Sequence, residues 1–369
     1  MTRQNEFIRW YNDVFKATPE YAAMLNTVEG SPWHRETNVG IHTDMVVMEY
    51  LIRAPQLWSH ADLLGAYAAA FHDVGKPHSM QKKWKEERGD YLSFGGHEQA
   101  SARRWENYAV ENIDDFRSKD LDVDDIYTVS MLIELHKPWE VKRAEKLQAM
   151  SLTLMKLGVD EVFANLVRAD NWGRISDDWE KNRANVNDWV NKFEERNMGL
   201  AGHPIYTMAP NPEKKPVLYV PIGASGTGKS TLRDTIKDAP YSFSLDAMRH
   251  ELYGEDYAYA FSQSTKDKMF RPQCNDRFRE MLRTGDNVFL DNTNTSKKTR
   301  RFYCVEARNR GYHLHAIVMP VALQTILDRQ RTRTDKTVPD EAVTRQYFGM
   351  VAPQYGEFDE ISVLPSNIL

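Results

Sequence analysis

Cysteine is nearly absent from this chain. Its 369 residues hold two, Cys274 and Cys304, too few for a disulfide framework or a thiolate metal site. Long apolar runs are missing as well. None approaches the ~20 residues of a membrane span, so no membrane partner is expected. The opening Met1-Thr2-Arg3-Gln4-Asn5-Glu6 has no apolar stretch behind a basic start, and no signal peptide is expected there. These absences point to a reducing cytoplasm, that of the host if the chain is viral. An excess of one charge is lacking too. The net charge of −5 exerts no global pull toward nucleic acid, so contact with a polyanion has to come from local basic clusters. With 41% hydrophobic and 27% charged residues, the composition is that of a globular chain, and the length suits two or three domains.

One stretch stands out from this background. Gly223-Ala224-Ser225-Gly226-Thr227-Gly228-Lys229-Ser230 fits G-x-x-x-x-G-K-[ST] at every fixed position. It follows the apolar run Val217–Ile222 and precedes a segment that reads as helix from Thr231. A strand, a glycine-rich loop and a helix N-terminus make a phosphate cradle, with backbone N–H groups turned onto the phosphates. The triphosphate is assigned to Gly223, Ser225, Gly226, Thr227, Gly228, Lys229, Ser230 and Thr231. Lys229 reaches the β- and γ-phosphates, and the Ser230 hydroxyl sits on Mg²⁺.

The first half carries scattered metal-type residues. Trp10, Tyr11, Phe15, Tyr21 and Leu25 read as the core face of an amphipathic helix. Met45, Val46, Met48 and Leu51 suggest a second helix after His42. A third, from about Ala61, runs into His72-Asp73, with Gly75 and Pro77 expected to stop it. His97 stands at a helix start, His136 ends the apolar Met131–Leu135, and Asp170 lies late in a further helix. His60 and His78 read as surface residues, and His34 as a pocket residue. Imidazoles and carboxylates at helix ends can converge on a metal, and mixed N/O ligands suit Mn, Fe, Co, Ni or Zn better than Ca.

The order His42, His72-Asp73, His97, His136, Asp170 resembles the HD superfamily of phosphohydrolases over roughly residues 20–195. The resemblance implies an all-α domain. It also implies one metal held by His42, His72, Asp73 and Asp170, and a second reached through His97 and His136, with Asp73 bridging. Lys76 then either contacts the substrate phosphate or is a solvated lysine after a helix. Residues 171–195 read as a charged, solvated helix. Pro204, Pro210, Pro212 and Pro216 mark a linker near 200–215. The domains are accordingly expected at 1–205 and 214–369.

Beyond the phosphate loop, short apolar strands at Tyr241–Leu245, Val288–Leu290 and His313–Met319 alternate with helices. This is an α/β layout with a parallel sheet, whose ligand groups belong at the carboxyl ends of the strands. Asp246 follows the second strand with Arg249 one helical turn on, and helix N-capping by Asp246 is the alternative reading. Asp291 ends the third strand, as a metal-organising carboxylate would. The basic Ser296–Arg301 reads either as a solvated face or as a phosphate-backbone contact. Arg329, Arg331 and Arg333 at alternate positions suggest a mobile lid.

This half resembles the 5′-kinase module of phage-type polynucleotide kinases. The matching features are the phosphate loop, Asp246-x-x-Arg249, Asp291-Asn292-Thr293-Asn294, and Arg329, Arg333, Val338 and Pro339, with Tyr347 beyond. The resemblance implies Asp246 as general base, Arg249 on an acceptor phosphate, and Asp291 and Thr293 ordering the site. It assigns Arg333 to the transferring phosphoryl group, Arg329 to the donor phosphates and Val338 to the substrate. An HD module ahead of such a kinase resembles the bacterial end-healing enzymes called HD-Pnk, rather than the phage enzyme with its C-terminal haloacid-dehalogenase-type phosphatase.

The function this implies is phosphorylation of 5′-OH ends, together with removal of 3′-phosphate or 2′,3′-cyclic phosphate ends. The cofactors are ATP or another NTP with Mg²⁺, and one or two transition metals. The partners are RNA or DNA ends, functional coupling to a ligase, and a possible second copy of the chain. Two alternatives stand beside it: a small-metabolite or nucleoside kinase fused to an HD nucleotidase, and a nucleotide-binding regulator without turnover.

Overall fold

The computed structural model describes residues 2–29, 34–86, 89–203, 211, 213–334, 336 and 338–364. The chain divides into two units, Met1–Tyr206 and Thr207–Leu369. Most of the proline-rich stretch expected as a linker (204–210 and 212) lies outside the described residues. Among the described residues no helix is long and apolar enough to cross a membrane.

The first unit is mainly helical. Its helices are α1 (Arg3–Asp13), α2 (Pro19–Leu25), α3 (Val39–Arg53), α4 (His60–Phe71), α5 (Lys76–Ser79), α6 (His97–Glu111), α7 (Ile113–Ser118), α8 (Val123–Leu135), α9 (Ala144–Lys156), α10 (Asp160–Trp172) and α11 (Trp179–Leu200). Helix α4 is the centre, buried from Asp62 to Phe71. It starts on a Ser59/Asp62 capping box, which satisfies the first free N–H groups. Ala66, Ala68, Ala69 and Ala70 are fully buried, and these small side chains let neighbouring helices come close. Gly65 serves the same end, since a Cβ there would meet the Tyr50 hydroxyl at 2.1 Å.

Four expectations change here. The domain is not all-α, because β1 (Gln81–Lys85) and β2 (Gly89–Ser93) form an antiparallel hairpin. Lys82, Trp84, Tyr91 and Leu92 offer no helical stripe, and β1 is exposed at every position. Pro77 does not stop a helix. It sits in the first turn of α5, where its missing N–H costs nothing. Gly75 is required for contact with α6, because a Cβ would meet His97 O and Ser101 N at 2.6 Å. The N-terminal aromatics span two helices with a turn between, and Leu25 and Met48 face solvent.

The second unit is a parallel sheet flanked by helices. The strands are β3 (Val217–Ile222), β4 (Tyr241–Phe243), β5 (Val288–Leu290), β6 (His313–Val318) and β7 (Glu360–Val363). Their order is β4-β5-β3-β6-β7, every neighbouring pair parallel. The helices are α12 (Lys229–Thr235), α13 (Leu245–Tyr253), α14 (Tyr257–Lys266), α15 (Phe270–Arg283), α16 (Lys297–Arg308), α17 (Leu323–Thr332) and α18 (Asp340–Phe348). Leu218, Val220, Val288, Leu290, Leu314 and Ala316 are buried on one face and Phe289 and Ile317 on the other, as a sheet covered on both faces requires. The phosphate loop leaves β3 and Asp291 leaves β5, so adjacent strands deliver both to one edge.

Candidate functional site

In the first unit, His42 comes from α3, His72 and Asp73 from the turn after α4, and His97 opens α6. His136 follows α8, and Asp170 lies in the last turn of α10. All six are 2% exposed or less. His42 Nε2 lies 3.2 Å from Asp170 Oδ1. Asp73 bridges the cluster, with His72 Nε2 3.2 Å from its Oδ2 and His97 Nε2 3.2 Å from its Oδ1. His136 Nε2 is 3.8 Å from the same Oδ1. The ligand atoms of His42, His72 and Asp170 form one group within 4.8 Å, and those of Asp73, His97 and His136 another.

Second partners set the tautomers. Nδ1 of His72, His97 and His136 lies 2.9, 2.7 and 2.7 Å from the carbonyls of Ala69, Phe94 and Ile133. His42 Nδ1 lies 3.1 Å from Gly173 O. A carbonyl only accepts, so each Nδ1 carries a proton, and Nε2 is the ring atom turned into the cluster. His97 Nε2, His136 Nε2, Asp73 Oδ1 and Asp170 Oδ2 are buried without a hydrogen-bond partner. Four orphaned acceptors converging in one place are costly unless something fills them. The donor set fits one or two divalent transition metals.

The surroundings are charged throughout. Lys76 is not the solvated lysine of the alternative reading. It is 3% exposed and paired with Asp73 and Glu29. Burial opposes ionisation of Asp73, but His72 and Lys76 outweigh it and hold the carboxyl well below its usual range. Arg174 does the same for Asp170, donating from Nη2 to Oδ1 at 2.9 Å. Burial also opposes protonation of His42, yet hydrogen bonds to Asp170 and Glu36 push it up to about 9. Burial, reinforced by His72, pushes His136 down to about 3. His34 lies 2.7 Å from Glu36 Oε1. A cavity of about 510 Å³ opens on Asp73, His136 and Asp170, and His34, Lys76 and Arg174 line it. Sequence reasoning missed Glu29, Glu36 and Arg174. Arg174 had a signal, standing one helical turn beyond Asp170.

In the second unit the phosphate loop borders a cavity of about 1540 Å³. Gly226 and Gly228 have φ of +92° and +105°, a region that glycine enters without strain. Gly223 N donates to Thr293 O at 3.1 Å, so the Asp291–Asn294 loop holds the phosphate loop from below. Lys229 Nζ donates to the carbonyls of Gly223 and Ala224 at 2.9 and 2.6 Å. Ser230 Oγ donates to Asp291 Oδ2 at 3.2 Å, pairing the two groups assigned to Mg²⁺. Thr231 also lines the cavity.

Asp246 is not a helix N-cap. Ser244 caps α13, accepting from Asp246 N and Ala247 N, which leaves the Asp246 carboxylate to contact Arg249 and Lys336. Burial resists its ionisation, but Lys336 and then Arg249 hold its pKa low. The expected arginine lid is partly helix. Arg329 and Arg331 belong to α17, and Arg333 follows its end. The helix forms because Ile326 and Gln330 give it a buried face. Gln330 Nε2 donates to Ser225 Oγ at 3.0 Å and Arg329 Nη1 to Thr227 O at 3.2 Å, while Arg331 turns outward to Asp328 and Asp340. Arg333 Nη1 lies 3.5 Å from Ser225 Oγ. Arg249, Thr293 and Val338 line the cavity, whereas Tyr347 is core. Arg300 is neither a solvated residue nor placed to meet a phosphate backbone. It is fully buried and grips Glu357 with two nitrogens. Lys336, Gln330 and Gln346 are site residues that sequence reasoning missed.

A family model described as an AAA domain matches residues 218–353. A protein of Autographa californica nuclear polyhedrosis virus, whose description names a bifunctional polynucleotide kinase/RNA ligase, is 30% identical over 140 residues. The match covers 35% of this chain, and the chain spans 20% of that relative's length. With the phosphate loop, the match supports a P-loop, kinase-like domain over residues 218–353, an arrangement suited to a nucleoside triphosphate with Mg²⁺.

Proposed function

We propose that the chain heals broken nucleic-acid ends, phosphorylating 5′-hydroxyls in its second unit and clearing 3′-phosphate or 2′,3′-cyclic phosphate ends in its first. One observation carries this reading. A single chain holds a P-loop cleft with an acceptor-side carboxylate and, separately, a buried His/Asp cluster with four unpartnered acceptor atoms.

In the kinase step, the 5′-oxygen bonds to the γ-phosphorus as the β–γ bridge breaks, and ADP leaves. Asp246 accepts the hydroxyl proton. Lys336 and Arg249 keep it ionised for that task. Lys229, Arg329 and Arg333 neutralise charge gathering on the phosphoryl oxygens. Ser230 and Asp291, paired at 3.2 Å, would hold Mg²⁺, and Thr293 anchors the loop through its carbonyl. The viral relative's description supports a polynucleotide acceptor.

In the first unit, His42, His72, Asp73 and Asp170 would hold one metal, and His97 and His136 a second shared through Asp73. Bound metal supplies an activated water and neutralises phosphate charge. The Nδ1–carbonyl bonds keep the imidazoles in the ligating tautomer. Lys76 and Arg174 hold Asp73 and Asp170 ionised and add positive charge beside the substrate.

The acceptor assignment is tested with γ-labelled ATP and either a 5′-OH oligonucleotide or a free nucleoside. Label on the oligonucleotide is expected. Transfer to the nucleoside alone would instead assign the cleft to a small-metabolite kinase.

A further inference from the structure

The cavity above the His/Asp cluster is larger and less polar than a phosphate needs. About 510 Å³ falls among sites that take a whole small molecule, roughly 300–1,000 Å³. Beside its charged residues it is lined by Trp139, Trp189, Asn171, Asn182 and Asn185. None of these five offers charge to a phosphoryl group.

Both tryptophans are placed to present a face. Trp139 sits on a 3₁₀ turn, Pro138–Glu140, directly after His136 and Lys137, and is 37% exposed. Trp189, on α11, is stacked on buried Phe193 at 5.3 Å and 14°, and meets buried Phe163 edge-on at 6.4 Å. That backing fixes its ring while leaving part of it in the cavity. A lone exposed tryptophan needs no explanation. Two in one cavity, next to a buried and unsatisfied amide, do.

The amide is Asn171, one residue after Asp170. It is 9% exposed, and its Oδ1 has no hydrogen-bond partner. Asn182 adds a second amide, held by its Nδ2 bond to Ser176 Oγ at 3.1 Å. Aromatic faces stack any nucleobase, and carboxamides pair with base edges or sugar hydroxyls.

We propose that this cavity binds the terminal nucleoside of the phosphate-bearing end. The base rests on Trp139 or Trp189, and the carboxamides of Asn182 and Asn185 pair with its edge or with a ribose hydroxyl. The assignment rests on the reading that the cluster releases phosphate from nucleic-acid 3′ ends. It adds that the base next to the phosphate is recognised, so an end lacking that base is a poor substrate.

The test photocrosslinks the full-length protein to an oligonucleotide whose 3′-terminal nucleotide is 5-iodouridine 3′-phosphate, and maps the adduct by mass spectrometry. An adduct on Trp139 or Trp189 is expected, whether or not metal is present. Adducts confined to other residues, or none, would overturn the proposal. With the Mn²⁺-loaded protein, kcat/KM for a base-bearing 3′-phosphate should exceed that for an abasic one by roughly tenfold, within the range of base–aromatic stacking. In Trp139→Ala the ratio should fall toward one. A ratio already near one in the unaltered protein would also overturn it. The two readings fail separately. An adduct on Trp139 without phosphate release from any end would keep the nucleoside site and refute the phosphatase. Equal release from both ends, with adducts elsewhere, would do the reverse.

Discussion

Lys76 Nζ lies 2.7 Å from Asp73 Oδ2 and also contacts Glu29, and all three groups are buried. The lysine therefore compensates two carboxylates, one of them central to the His/Asp cluster. Removing one partner of a buried ion pair typically costs about 3–5 kcal/mol. Lys76→Ala should lose that much, read by urea unfolding of the first unit. A loss under about 1 kcal/mol would mean that the pair contributes no more than an exposed one.

Glu106 is the second buried charge with a measurable consequence. Arg103 bonds both Glu106 and Glu134, at 2.8 Å each, so two carboxylates share one guanidinium. Burial pushes Glu106 up to about 7 from 4.5, against the pull of Arg103. The folded state then binds a proton that the unfolded chain has released between those values. Stability contributed by this group is full below about pH 4.5 and is lost as pH rises through 7, by about 1.4 kcal/mol per unit. Glu106→Gln should flatten that slope in melts from pH 5 to 8. An unchanged slope would remove Glu106 as its source.

Lys229 predicts proton linkage in nucleotide binding. Burial pulls it down to about 7; Asp291 opposes this, and Lys336 and Arg333 reinforce it. Near pH 8 the free lysine is largely neutral, and bound phosphates restore its charge. Calorimetry in buffers of different ionisation enthalpy should show uptake of close to one proton at pH 8 and almost none at pH 6. Equal uptake at both values would contradict the assignment.

Arg300 should act on the kinase without reaching nucleotide. Besides Glu357, it donates to Asn294 O at 3.1 Å and Val351 O at 2.9 Å. It thereby holds the loop whose Thr293 carbonyl receives Gly223 N. Arg300→Met should destabilise the second unit by several kcal/mol and lower phosphorylation by at least tenfold, while phosphate release by the first unit is unchanged. Full phosphorylation by a folded variant would contradict this role.

Local patterns were legible where one period or one motif decides. The phosphate loop, the apolar β3 and β5, and the helix-end positions of His72, His97 and His136 could be read because neighbours in sequence set them. The β1–β2 hairpin escaped because β1 is exposed along its whole length and carries no core signal. Strand β7 escaped because it is four residues long and only half-buried. Alternate arginines at 329, 331 and 333 suggested a loop, and the buried Gln330 that makes α17 a packed helix is visible only against Ser225. Glu29 meets Lys76 across 47 residues, and no local pattern announces such a pair.

The central claim is that one chain repairs both kinds of end, and product analysis tests it most directly. An oligonucleotide with a 5′-OH and a 3′-phosphate is incubated with Mg²⁺ and Mn²⁺, with and without ATP, and its termini are identified by mass spectrometry. Both ends should convert to 5′-phosphate and 3′-OH with ATP, and the 3′ end alone without it. Lys229→Ala should lose only the 5′ step, and Asp73→Ala only the 3′ step. An unaltered 3′-phosphate in every reaction, or loss of both steps in either folded variant, would contradict the account.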